Sequence, residues 1–472
     1  MSNCYYACFA REDREIDGRQ RIGLEFEIVR EECLAFFFSG DKTRGGKRQR
    51  VEDVSDGEKL EGVRGHEEVL ESFLRYGLTD ERFLSRKGRY LGNTGFQLLT
   101  VYFEDISYAR YRYGNWYFIE LADREHMEEL TGKVHDCAVY EWGEVGDPVI
   151  NAYGSFLPLG REEMRTLRQL YDPYIPPESL WNGNQFAAIG GATVFQTVRF
   201  YYVGAALCAG ILDNFNNLVA FFDLGTRVSN NPFIINQQAA AQNSQNAIQA
   251  ELGNIGPGNP VTIFISHWHA DHCNALDAFF HNGALAANIA QNTEWYVPGS
   301  TLPSFHRVQN AVPAVSFHVA AAGMAQASVN INGNANIQAG KINYAGHLHP
   351  HHQSVYVRVM LASGTTVLLA GDATYAGMPL HVRTNGPAGY VCLQASHHGG
   401  NYHYAPAAPN PPMTYIPDAA NGAIAVYSAD GIRHGHPSVP VMNEHRGRGY
   451  FQGNERQLNQ GASMGFNILD VF

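Results

Sequence analysis

Past residue 190 the chain is punctuated by apolar runs of strand length that each close on polar residues. They are Thr193 to Val203, Leu218 to Phe222, Val261 to Ser266, Val355 to Leu361, Thr366 to Ala370, Val391 to Ser396 and Ala423 to Tyr427. These runs lack apolar/polar alternation, which predicts strands buried on both faces in sheets covered by further layers. Gln237 to Gly256, rich in Ala, Gln and Asn, is expected to be a surface helix and loop. Upstream, Ile22 to Val29, Gln97 to Phe103 and Trp116 to Leu121 carry the β-branched and aromatic residues of strands, whereas Glu67 to Tyr76 and Arg161 to Tyr171 have helical spacing. That mixture predicts a small N-terminal α+β unit. The run Asp172-Pro-Tyr-Ile-Pro-Pro-Glu-Ser179 disfavours helix and central strand alike and reads as a connection. Two domains are therefore expected, an accessory unit over 1–180 and a larger α/β unit over 185–472.

Composition sharpens that division. A chain of 472 residues exceeds what one hydrophobic core usually organises. Residues 1–184 hold 24 of the 34 Lys and Arg and 34 of the 46 Asp and Glu, so nearly all of the net charge of −12 lies there. Of the 20 histidines, only His66, His126 and His135 precede residue 185, which places the expected chemistry in the second unit. Opposite charge blocks from Lys42 to Glu61 read as a solvated loop rather than a phosphate-binding patch. An acidic chain lacks the broad basic face that tight nonspecific nucleic-acid binding needs, although a local basic channel stays open. The chain has no apolar run long enough to span a bilayer and no signal-peptide pattern at its start, so a cytoplasmic protein with no membrane association is expected. The seven scattered cysteines are read as reduced thiols. Cys4 and Cys8 could share a helix face and bind metal, but no second Cys or His pair stands nearby.

The segment carrying the most chemistry is Val261-Thr-Ile-Phe-Ile-Ser-His-Trp-His-Ala-Asp-His272, an apolar strand ending in His267-x-His269-x-Asp271-His272. Residues two apart on an extended backbone project to the same side, so His267 and His269 can grip one ion while Asp271 and His272 turn toward a second. Imidazole and carboxylate suit zinc, with manganese or iron also tolerated. One histidine would be read as a core residue. Four potential ligands in six positions would not.

This motif resembles the signature of the metallo-β-lactamase superfamily. Phe221-Phe-Asp223-Leu-Gly225 resembles the family's early strand and Asp-x-Gly turn, Val367-Leu-Leu-Ala-Gly371-Asp372 its later strand with a metal-bridging aspartate, and Leu393-Gln-Ala-Ser-His397-His398-Gly399 the element giving a last ligand. Ser396-His-His-Gly399 and Arg433-His-Gly-His436-Pro437 are similar to elements of the hydrolase domain of DNA-uptake competence proteins and their stand-alone relatives. His351-His352-Gln353-Ser354 stands where that branch has an Asn-Asn-x-Ser strand start. The likeness spans roughly residues 190 to 445. Two departures stand out: Cys273-Asn274-Ala275 replaces the usual glycine-containing continuation, and His351 and His352 replace asparagines.

The resemblance implies an αββα sandwich holding two divalent ions, with zinc expected, on His267, His269, Asp271, His272 and Asp372. Either His351 or His352 would add a ligand to the first ion, with His352 carried as the candidate. One of His397 and His398 would serve the second. His436 is expected to line the cleft and protonate a leaving oxygen, itself or through a neighbouring His. Two ions sharing a water lower its pKa toward neutrality, and Asp271 could orient it. The expected reaction is hydrolysis of a phosphodiester, in nucleic acid or in a smaller molecule. Ester, thioester or lactam hydrolysis on the same centre is the alternative, and a non-catalytic interaction protein is a third reading. A flavin-linked oxidoreductase finds no glycine-rich phosphate loop in residues 1–184 to support it.

Overall fold

The computed structural model describes residues 3–13, 22–34, 96–103, 111, 113–141, 150–172, 189–203, 206–225, 235–281, 284–320, 328–342, 353–385, 388–400, 416–428, 437–451 and 468–472. The charged stretch 42–61, the helix expected at 67–76 and nearly all of the proline-rich connection lie outside them.

The N-terminal part is a closed barrel of six antiparallel strands, β1 (Asn3–Asp13), β2 (Ile22–Arg30), β3 (Gln97–Phe103), β4 (Trp116–Ala122), β5 (Val134–Glu141) and β6 (Ile150–Leu157), in the order β1-β2-β3-β5-β6-β4. Strand parity explains why its sequence shows little alternation. Tyr5, Ala7, Phe9, Leu24, Phe26 and Ile28 fill the barrel. Their neighbours Tyr6, Cys8, Ala10 and Val29 face outward but are buried all the same, in one cluster with Trp268, Phe305 and Val308 of the larger unit. Cys4 and Cys8 therefore sit on a strand, and the helical reading of that pair is corrected: a residue buried on both faces of β1 leaves no polar face from which to recognise the period of two.

Two further sheets face each other. The first contains β7 (Phe195–Tyr201), β8 (Cys208–Asp213), β9 (Leu218–Leu224), β10 (Val261–Phe264), β13 (Thr293–Pro298), β14 (Phe317–Ala320) and β21 (Ile468–Val471), ordered β14-β13-β10-β9-β8-β7-β21. A two-stranded hairpin, β11 (Phe280–His281) and β12 (Ala284–Leu285), intervenes between β10 and β13. The second sheet runs β15 (Ser328–Asn330), β16 (Ile337–Lys341), β17 (Val355–Met360), β18 (Thr366–Leu369), β19 (Tyr390–Gln394) and β20 (Ala419–Val426) in sequence order.

Ala209, Ile211, Phe222 and Phe264 of the first sheet interlock with Val357, Val359, Val367, Leu369 and Cys392 of the second. Each side chain of this size contributes about 1.5–3 kcal/mol on full burial. The outer face of the first sheet is covered by Ile248 and Leu252 of the helix Ile235–Gly253 and by Phe305 of the helix Pro303–Ala311. Val382 of the helix Leu380–Thr384 and Met442 of the helix Val439–Gly447, with Met378 and Tyr450, pack on the second sheet. Helix, sheet, sheet and helix thus form four layers. β9, β10 and β13 are parallel, as are β18 and β19, so the carboxyl ends of several strands meet along one rim.

Candidate metal centre

The rim is organised by Asp223 at the end of β9. Its carboxylate accepts from the Ser266 amide at 2.6 Å, from Ser266 Oγ at 2.8 Å and from His272 Nδ1 at 2.8 Å. Both ends of the loop that follows β10 are thereby tied to one fully buried group. Burial pushes the Asp223 carboxyl upward, opposed by His272 and Ser266. Between the ties, Ala270–Cys273 makes a single helical turn. Cys273 turns inward and its thiol donates to the His269 carbonyl at 3.3 Å, which accommodates the departure from a glycine-rich loop.

Two close backbone approaches set the ligand positions. A Cβ at Gly225 would lie 1.6 Å from the Asp271 carbonyl oxygen, so the Asp223-x-Gly225 turn lets the ligand loop pass over it. Gly371, at φ +53°, would drive a Cβ to 2.3 Å from that of Ser266, so the strand delivering Asp372 can approach only without a side chain there. The His397 amide donates to the Gly371 carbonyl at 3.1 Å, tying the next element to the same point.

His267, His269 and Asp372 form one group able to hold an ion, and Asp271, His272 and His398 form another, the ligand atoms of each lying within 4.8 Å of one another. Asp372 joins them. Its Oδ2 is 3.5 Å from His267 Nε2, while its Oδ1 is 3.4 Å from His272 Nε2 and 3.9 Å from His398 Nε2. Asp271 Oδ2 lies 3.4 Å from His398 Nε2 and 3.9 Å from His272 Nε2.

The hydrogen bonds behind the rings show which nitrogens face inward. His272 Nδ1 donates to Asp223 and His398 Nδ1 to the Ser428 carbonyl at 2.7 Å, leaving both Nε2 atoms with lone pairs toward the centre. Among the described residues, those two buried Nε2 atoms have no hydrogen-bond partner. His267 Nδ1 meets Ser266 Oγ at 3.0 Å, and since that hydroxyl donates to Asp223, the imidazole is the donor. His269 is reversed: its Nε2 donates to the carbonyl of Ala10 at 2.8 Å, so Nδ1 faces inward. His267 Nε2 and His269 Nδ1 then oppose lone pairs at 2.7 Å, an arrangement that needs a cation or a proton between them. Buried orphan acceptors, facing lone pairs and carboxylates fit divalent ions well. His272 responds to the same field. Burial disfavours its charge, but Asp372, Asp223 and Asp271 outweigh that and raise it to about 9, so the lone pair of its Nε2 is one that either a proton or a cation takes up.

Of the residues singled out from the sequence, the structure brings together His267, His269, Asp271, His272, Asp372 and His398. His397 stands beside them, its Nε2 3.8 Å from Asp372 Oδ2 and its side chain 16% exposed. Two successive left-handed residues, His397 and His398, followed by Gly399 also at positive φ, aim the two rings differently. His351, His352 and His436 lie outside the described residues. Sequence reasoning missed Ser266 and the carbonyls of Ala10 and Ser428. Ser266 carried one signal, its place between strand end and first ligand; a carbonyl carries none.

No family model and no curated protein matches the chain. Solved structures similar to it include a metallo-β-lactamase with a HARLDQ motif from Cronobacter sakazakii (Enterobacter sakazakii), 14% identical, with a TM-score of 0.19 over 42% of this chain and 63% of that one. A mutant of that enzyme is 16% identical, with a TM-score of 0.20 over 42% of this chain and 67% of that one. At such TM-scores the likeness carries no weight beside the arrangement of the side chains.

Proposed function

We propose that this chain is a metal-dependent hydrolase of the metallo-β-lactamase superfamily that acts on a phosphodiester, in nucleic acid or in a smaller molecule. The observation that carries the hydrolase reading is Asp372, one carboxylate with an oxygen toward each of two buried ligand groups. His267, His269 and Asp372 would hold one ion; Asp271, His272, His398 and Asp372 would hold the other. Bound divalent ions supply a water of lowered pKa and polarise the bond to be cleaved. Around them, Asp223 and Ser266 keep the loop rigid, and Asp271, tied through its own carbonyl to the Leu207 amide at 3.0 Å, offers a carboxylate oxygen to orient the attacking water. His436, or a neighbouring histidine such as the partly exposed His397, would return a proton to the leaving oxygen.

The substrate class rests on the likeness of Ser396-His-His-Gly399 and Arg433-His-Gly-His436-Pro437 to the competence-type hydrolases. The expected ion is zinc, with manganese or iron tolerated by the same donors. The test is a screen of the zinc- or manganese-loaded protein on bis-p-nitrophenyl phosphate, oligonucleotides, a thioester and a lactone, beside Asp271→Asn. Phosphodiester cleavage that falls at least about a hundredfold in Asp271→Asn is expected, the scale of losing a key polar group in a site. Asp271-dependent cleavage of the thioester or lactone alone would transfer the site to the ester class. A protein that loads two ions and cleaves nothing would overturn the hydrolase reading.

A further inference from the structure

We propose that the N-terminal barrel is a working part of the metal centre, with the backbone carbonyl of Ala10 acting as the positioning group that fixes the tautomer and orientation of His269. The inference rests on reading the buried His/Asp cluster as a metal site, and goes beyond it by giving residues 3–157 a role there.

The geometry begins with a break in β1. Its ladder to β2 pairs Phe9 with Phe26 and Arg11 with Glu25, so Ala10 is one residue too many on its strand. On the other side, the ladder to β4 stops at Cys8 opposite Trp116. Ala10 is thus the extra residue of a β-bulge, a device that re-aims groups out of a sheet. Its carbonyl accepts from His269 Nε2 at 2.8 Å across the boundary between the barrel and the larger unit. A carbonyl oxygen can only accept, so the imidazole proton must sit on Nε2 and the lone pair on Nδ1, the atom grouped with His267 and Asp372. The other three imidazoles use Nε2 instead, held by groups of the larger unit itself. Among the described residues, His269 alone takes its orienting partner from the barrel.

The contact is braced on every side. Phe9 exchanges backbone hydrogen bonds with the 114–115 turn, its amide to the Asn115 carbonyl and its carbonyl from the Gly114 amide, each at 3.0 Å. That turn carries Tyr113, whose ring meets the His269 ring edge-on at 6.2 Å and whose hydroxyl bonds Ser300 Oγ at 3.1 Å. One strand over, Glu27 accepts from the Ser304 amide at 2.9 Å and from its hydroxyl at 2.7 Å. The barrel is therefore clasped to residues 300–304 on the flank of the site, and the bulge is held in register with the metal loop.

Imidazole nitrogen NMR on the full-length, 15N-histidine-labelled protein loaded with zinc tests this without any variant. His269 should be protonated on Nε2 and bound through Nδ1, opposite to His267, His272 and His398. A His269 protonated on Nδ1 overturns the proposal. A second arm deletes Ala10, which restores regular pairing in β1. Affinity for the ion at His267 and His269 should fall about 10–100-fold, the usual effect of losing an outer partner of a metal ligand, while the ion at Asp271, His272 and His398 is kept. A folded deletion variant with both parental affinities overturns the proposal and leaves the metal site standing. A parent protein that binds no divalent ion overturns the metal reading itself.

Discussion

Replacing Gly225 by alanine is the smallest change that should separate the metal centre from the sheets that carry it. The added Cβ would lie 1.6 Å from the Asp271 carbonyl oxygen, 2.5 Å from its carbonyl carbon and 3.0 Å from the Leu207 amide nitrogen. All three atoms are backbone, so no change of rotamer relieves the clash. Opening the closest contact to the 3.0 Å that real Cβ atoms respect means moving Asp271 and Gly225 apart by about 1.4 Å. Ligand distances in metal sites tolerate about 0.2 Å, so Asp271 leaves the second group. The same movement strains the Leu207 amide to Asp271 carbonyl bond at 3.0 Å and the Gly225 amide to Leu207 carbonyl bond at 2.8 Å, worth about 1 kcal/mol each. A loss of about 2 kcal/mol lowers Tm by about 3 °C in a unit of roughly 290 residues. Elemental analysis should find one ion where the parent holds two, and turnover should fall by about a hundredfold or more, as it does when a reacting group is displaced by an ångström. Gly258→Ala, with nothing within 4 Å of its Cβ, is the control and should match the parent. A Gly225→Ala protein that binds two ions with parental affinity and turns over normally would refute the placement of Asp271.

Glu27 offers a pH test of the clasp between barrel and larger unit. Burial holds its carboxyl up to about 8, so the folded state keeps a proton that the unfolded chain releases near 4.5, and stability falls as pH rises from about 4.5 through 8. Glu27→Gln keeps an acceptor for Ser304 and never ionises, so its Tm should gain on the parent between pH 6 and pH 9; parallel Tm profiles would contradict the shift. His397 and His398 separate in a paired experiment: His398→Ala should lose the ion at Asp271 and His272, whereas His397→Ala should keep both ions. Equal metal loss in the two variants, read by elemental analysis, would contradict the assignment made from the approach of His398 Nε2 to Asp271.

What the sequence disclosed was local. Val261–Phe264 and Leu218–Leu224 are buried at every position, so their uninterrupted apolar runs signalled covered strands, and His267 to His272 declared themselves by lying within one loop. β1 was hidden for the opposite reason. Its two faces are buried by different partners, the barrel interior and the larger unit, and Cys4 and Cys8 then carried a spacing that suits a helix face as readily as a strand. The choice between His397 and His398 was closed to sequence reasoning because it depends on consecutive positive φ angles at both residues. The Ala10 carbonyl was beyond reach altogether: its role follows from a register slip in a strand nearly 260 residues away from the ligand it serves.

Charge balance ties these parts together. Asp223, Asp271 and Asp372 are each no more than 2% exposed, and they lie beside imidazoles whose outer nitrogens are committed to acceptors. Burying three carboxylates without compensation is prohibitive, and proton uptake by His272 offsets only part of it. One divalent ion would still leave the three carboxylates in excess. Two ions would place four positive charges against three negative ones, and a hydroxide formed from water there would bring the described residues and their ions to balance.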